Sequence, residues 1–118
     1  MSSVSSRAWH LRVHDILGAI ASIQRLTAGM TFDEFAADEA ISKAVLYNFM
    51  IIGEASANVP ADIQDRYSEI PWRLMSDMRN VMAHEYFQVN LRLAWGTIQS
   101  NLLPLVTRLQ NLFEQREE

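Results

Sequence analysis

The chain contains no cysteine, which rules out disulfides, thiolate nucleophiles and cysteine-ligated metal centres. Glycine and proline are scarce, at four and three in 118 residues, and no glycine-rich phosphate loop can be assembled from them. No apolar run approaches the roughly 20 residues that a membrane span requires; Asn48, Gly53 and Glu54 punctuate the most apolar stretch. The opening residues Met1 to Arg7 lack a basic segment followed by an apolar one, so a signal peptide is not expected and a cytoplasmic location is. Lysine is nearly missing too, since nine of the ten basic residues are Arg and only Lys43 is Lys. With 14 acidic residues the formal net charge is −4. That balance counts against non-specific nucleic-acid binding, which normally rests on a basic face. It leaves open a few fixed, bidentate contacts from Arg to phosphate or carboxylate.

What is present is apolar content, 49% of residues, enough for one core in one domain spanning 1–118, with a flexible tail expected from about residue 113. The apolar spacing is helical throughout. Val13, Ile16, Leu17, Ile20 and Ile23 form the core stripe of a helix from about Ser6 to Ala28, stopped by Gly29. Thr31 and Glu34 have the spacing of a capping box for a short helix through Ala36. A helix from about Asp38 to Asn58 is apolar nearly all round and should be the most buried. Ile63 to Tyr67 can add a further helical turn after Pro60. Pro71 and Trp72 open a helix expected to turn Leu74, Met75, Met78 and Met82 inward. Asn90 can cap a last helix with the stripe Leu91, Ala94, Ile98, Leu102, Leu105, Leu109 and Leu112, kinked at Pro104. The expected fold is all-α, an up-and-down bundle of four to five main helices.

Reactive side chains concentrate in Arg79-Asn80-Val81-Met82-Ala83-His84-Glu85-Tyr86. At about 100° per residue, Arg79 and Tyr86 share a helix face, whereas Arg79 and His84 stand roughly 140° apart. One straight helix therefore builds a tight site poorly: either the helix loosens near His84 or two copies of the chain share an interface groove, and the groove is the favoured arrangement. The chemistry these groups allow is metal-independent phosphodiester cleavage of RNA. His84 would act as general base or acid near neutral pH, Arg79 would stabilise charge on the phosphorane, and Asn80 would orient His84 or the phosphate. The neighbouring 2′-hydroxyl of RNA can be the nucleophile, so neither metal nor cofactor is needed. An Arg and a His at this spacing can also be plain structure, with Arg79 paired to Asp77, Glu85 or Glu54 and His84 at a helix end.

Arg79, four residues, His84, one residue and Tyr86 together match the RX4HXY motif of HEPN-domain ribonucleases. The surrounding chain, from about Arg7 to Leu112, resembles the HepT toxins. The supporting segments are Thr27-Ala28-Gly29-Met30 with Phe35, Ile51-Ile52-Gly53-Glu54-Ala55, Glu69-Ile70-Pro71-Trp72, Met78-Arg79-Asn80, Ala83-His84-Glu85-Tyr86-Phe87 and Trp95. The resemblance implies the toxin half of a bacterial toxin–antitoxin pair, acting on RNA. Its implied partner is a nucleotidyltransferase antitoxin of the MNT type. It implies cleavage by Arg79 and His84 with Asn80 in support, and attachment of AMP by the antitoxin to the hydroxyl of Tyr86. An anion on Tyr86 would sit on the face shared with Arg79 and could neutralise it. The departures are Asn90 and Asn101, where relatives commonly have Asp, Leu103 in place of a frequent Pro, and Tyr47 in place of a frequent basic residue. The last is expected to weaken contact with RNA.

A different class of function is a non-catalytic nucleotide-binding or protein-interaction module on the same fold, its motif serving only to hold an anion or a partner. His10 and His14, with Asp15, have metal-ligand spacing, but no further ligands are evident and a solvated helix face is the expected role. Glu54 inside an apolar helix calls for an ion pair to an Arg such as Arg79, and Gly53 for close helix packing. Trp72, Trp95 and the six Met are expected in the core or an interface.

Overall fold

The helical periodicities are realised as α1 (Ser3–Thr27), α2 (Phe32–Ala37), α3 (Glu39–Ala57), α4 (Ala61–Arg66), α5 (Trp72–His84), α6 (Leu91–Ser100) and α7 (Leu102–Glu114). This is a computed structural model that describes residues 3–84 and 90–114, with the side chains at 3–7, 80–84 and 113 not described. No strand occurs among the described residues. Five of the helices are long and α2 and α4 have six residues each, which makes the architecture the expected all-α bundle. The flexible tail expected from about residue 113 lies, beyond Glu114, outside the described residues.

Local chemistry sets most of the boundaries. Gly29 adopts φ 76°, the left-handed conformation that ends α1. Thr31 Oγ1 accepts from the Glu34 amide at 3.2 Å, while Glu34 Oε1 accepts from the Thr31 amide at 2.9 Å. Both halves of the capping box at the start of α2 are thus present. Asp38 caps α3 by accepting from the Ile41 amide at 3.0 Å, and Asn90 caps α6 by accepting from Leu93 at 3.0 Å. Such caps are worth about 1 kcal/mol each. The indole of Trp72 donates to the Tyr67 carbonyl at 3.1 Å, fixing the start of α5 to the turn after α4.

The all-round apolar character of α3 follows from its position, since its most extensive contacts are with α5 and α1. From α1 it meets the fully buried stripe Val13, Ile16, Ile20 and Ile23; α3 itself contributes Val45, Phe49 and Ile52. At the other end of the bundle Phe35 is fully buried with its ring 5.1 Å from Trp95, and Arg92 lies over the Phe32 ring at 4.0 Å, which docks α6 on α2.

Two expectations are corrected. Leu74 is not turned inward but half exposed. Among the described side chains the buried stripe of α5 is Trp72, Met75 and Met78, and Leu74 sits about 100° away from Met75; the side chain of Met82, also expected inward, lies outside the described residues. The last helix is not merely kinked at Pro104 but interrupted at Asn101, three residues earlier. Pro104 has no N–H for the Ser100 carbonyl and its ring would press on that oxygen. The chain therefore ends α6 at Ser100, bonds the Asn101 amide to Thr97 O at 2.9 Å, and restarts with Pro104 in the first turn of α7, where no donor is required. The apolar stripe survives the break, with Ala94, Ile98, Leu102, Leu105, Leu109 and Leu112 all buried.

Because Phe35 is the largest fully buried side chain among the described residues, Phe35→Ala should cost about 3–5 kcal/mol in urea unfolding. Fluorescence of the adjoining Trp95 should report the loosening. A loss below about 1 kcal/mol would mean that α2 and α6 are not docked through this ring.

Candidate active site

The first half of the reactive segment is placed by α5. Burial of Met75 and Met78 fixes the rotation of that helix and leaves Arg79 at the edge of the core, half-buried. Opposite it stands Gly53 of α3. A Cβ at Gly53 would lie 2.6 Å from the Arg79 amide nitrogen, 2.7 Å from the Arg79 Cβ and 3.0 Å from the Ser76 carbonyl oxygen. Two of these atoms belong to backbone, so only glycine lets the two helices approach this closely. The expected close packing is confirmed, and its partner, which spacing alone could not identify, is α5.

The next residue along α3 is then brought beside the guanidinium. Glu54 Oε2 lies 3.3 Å from Arg79 Nη1, in a contact that is both hydrogen bond and ion pair. Of the partners considered for Arg79, Glu54 is the one found among the described residues. The Glu54 and Arg79 side chains are 60% and 42% exposed, so solvent screens the attraction and its share in stability is at most about 1 kcal/mol. Its consequence is orientation: one nitrogen of the fork is tied to α3, while the planar group keeps further donors for an anion.

The backbone of α5 remains α-helical through Asn80 to His84, its last residue. The helix does not loosen before His84, and the angular separation of roughly 140° between the directions of Arg79 and His84 therefore stands. The side chains of Asn80 and His84 are not described, and Tyr86, the expected AMP acceptor, lies outside the described residues. The structure thus joins Arg79 to Glu54 and places Asn80 and His84 by their helix alone. Among the described residues there is no group of three or more His, Asp or Glu that could hold a metal ion. His10 packs its ring against Trp9, with centroids 4.0 Å apart. No helix among the described residues is long and apolar enough to cross a membrane.

Two substitutions separate the packing constraint from the ion pair. Gly53→Ala forces α3 and α5 apart and should destabilise the fold by about 1–3 kcal/mol in urea unfolding. Glu54→Ala removes a solvated pair and should change stability by no more than about 1 kcal/mol. A Gly53→Ala protein as stable as the wild type would show that the two helices are not in this contact.

Comparison with known proteins places these features in a family. Residues 16–112 match the model of the family described as ribonuclease HepT-like. A protein of Thermococcus cleftensis named "Probable ribonuclease HepT" is 37% identical over 100 residues, covering 85% of this chain and 91% of its own. A Methanocaldococcus jannaschii protein named "Putative RNase" is 31% identical over 105 residues, 89% of this chain and 87% of its own. Another of that name, from Caldanaerobacter subterraneus subsp. tengcongensis, is 32% identical over 89 residues, 75% of this chain and 80% of its own. No solved structure gives a significant match. Matched along most of its length by the family model and by relatives above 30% identity, the chain belongs to the HepT-like ribonuclease family.

Proposed function

We propose that the protein is a metal-independent endoribonuclease, the toxin of a type II toxin–antitoxin pair, working in the cytoplasm as a homodimer and silenced by AMP attached to Tyr86. The observation that carries the reading is an unbroken RX4HXY motif in a HepT-like chain whose motif arginine is held in place by Glu54. In this reaction the 2′-oxygen of RNA attacks the adjacent phosphorus, the P–O5′ bond breaks, and the products are a 2′,3′-cyclic phosphate and a 5′-hydroxyl. His84 takes the proton from the 2′-hydroxyl or returns one to the leaving 5′-oxygen. Arg79 offers its unspent donors to the equatorial oxygens as charge builds on them. Asn80 supports the imidazole or the phosphate. Since one helix directs Arg79 and His84 apart, a two-fold axis between copies supplies the convergence, with each copy lending groups to a shared groove.

Silencing follows from the same helical repeat. Tyr86 is seven residues after Arg79, and an AMP ester on its hydroxyl carries a phosphate to the face that Arg79 serves. The enzyme that attaches it is a nucleotidyltransferase antitoxin of the MNT type, which transfers AMP from ATP and releases pyrophosphate. The inhibited protein keeps its fold.

Two experiments test the two halves of this reading. With excess EDTA present, the wild type should cleave single-stranded RNA, and His84→Ala and Arg79→Ala should each cleave about 10²–10⁴-fold more slowly with unchanged helical circular dichroism. Equal activity of wild type and His84→Ala would remove the catalytic assignment. Incubated with the nucleotidyltransferase and ATP, the wild type should gain one AMP on Tyr86 by mass spectrometry and stop cleaving RNA, while Tyr86→Phe should do neither. Labelling of a different residue would overturn the silencing mechanism.

A further inference from the structure

Beside Glu54, between α1 and α3, the surface is hollowed into a shallow groove of about 280 Å3 lined mainly by Arg12, Asp15, Tyr47, Met50, Ile51 and Glu54. Tyr47, Met50, Ile51 and Glu54 follow one another at i, i+3, i+4 and i+7, forming a single line along α3 that spans about 10 Å. At one end is the Tyr47 ring, 56% exposed, whereas the other aromatic ring of α3, Phe49, is buried. At the other end the Glu54 carboxylate contacts Arg79. The groove therefore leads from an open aromatic face to the arginine of the proposed active site.

Its charge decides what it can hold. Both carboxylates that line it are already paired, Asp15 with Arg12 at 3.4 Å and Glu54 with Arg79 at 3.3 Å. The lining thus offers a phosphate no uncompensated positive charge. It suits a neutral ring bearing an amino group, because each carboxylate retains acceptor sites beyond its arginine contact. The volume lies just below the roughly 300–1,000 Å3 of pockets that enclose whole small molecules, which favours a single flat ring over a larger ligand. A chain of net charge −4 also has little general attraction for RNA, and stacking on an exposed aromatic side chain provides affinity that does not depend on a basic surface.

We infer that this groove is a nucleobase subsite of the RNA strand, in which an adenine, cytosine or guanine stacks on Tyr47 and donates its exocyclic amine to Asp15 or Glu54, while the phosphodiester one or two nucleotides away lies at Arg79. This rests on the ribonuclease reading above and adds a binding residue to it.

The test measures binding apart from cleavage, using short single-stranded 2′-O-methyl oligonucleotides of adenine, cytosine or uracil, whose blocked 2′-oxygen cannot attack. Tyr47→Ala should weaken binding of the adenine and cytosine oligomers by roughly five- to a hundredfold, and Tyr47→Trp should stay within a few-fold of wild type. Uracil, which has no exocyclic amine, should bind more weakly than cytosine to the wild type. Equal affinity of wild type and Tyr47→Ala, or equal weakness of the Ala and Trp variants, would overturn the subsite; equal affinity for uracil and cytosine would overturn its base preference. If Tyr47→Ala kept its affinity but changed its mass in light scattering, the groove would be a contact between copies and the inference wrong. A wild type that cleaves RNA while Tyr47→Ala binds and cleaves as well loses the subsite alone. A wild type that neither binds nor cleaves loses both.

Discussion

The close approach of α3 to α5 at Gly53 is the contact on which the rest of the molecule depends. Because a Cβ there would meet the backbone of Arg79 at 2.6 Å, the absence of a side chain sets the distance between the two helices and fixes their relative height. That height brings Glu54, one residue further along α3, within 3.3 Å of the guanidinium. The central helix is thus both the middle of the core and one wall of the candidate site. Its far side packs on the buried stripe of α1, so movement of α3 relative to either neighbour would be felt at Arg79.

The Glu54–Arg79 pair has little to do with stability, since both side chains are substantially exposed to solvent. Its value is directional. Glu54 ties one nitrogen of the guanidinium and leaves the others for an anion, in a chain whose net negative charge would otherwise give a phosphate little reason to approach. The outward line of α3 from Tyr47 to Glu54 gives the same helix a second surface, apolar and aromatic where the arginine is cationic. Affinity and chemistry would then be supplied by different faces joined at one carboxylate.

The break between α6 and α7 shows how strongly the apolar pattern governs this fold. Pro104 makes a continuous helix untenable, yet Ala94, Ile98, Leu102, Leu105, Leu109 and Leu112 keep one buried face across the interruption at Asn101. The chain surrenders a few helical hydrogen bonds and keeps its stripe, because burial of that row of side chains outweighs the lost turn.

Local rules made much of this readable from the residues alone. The Thr31–Glu34 capping box, the Asn90 cap and the stop at Gly29 depend on neighbours within a few positions. The core stripes depend only on the helical repeat. The motif from Arg79 to Tyr86, with its segments in order, was likewise visible as a linear pattern. Other features were not, because they depend on which helix faces which. The rotation of α5 decided that Leu74 stays half exposed while Met75 is buried. The sequence by itself determined the helical segments, most of their buried faces and the family to which they belong, because those are carried by short-range spacing. Only the tertiary structure decided that Gly53 meets Arg79 and that Glu54 is therefore its partner, because a contact between residues 25 positions apart exists only once two helices are packed at a particular height.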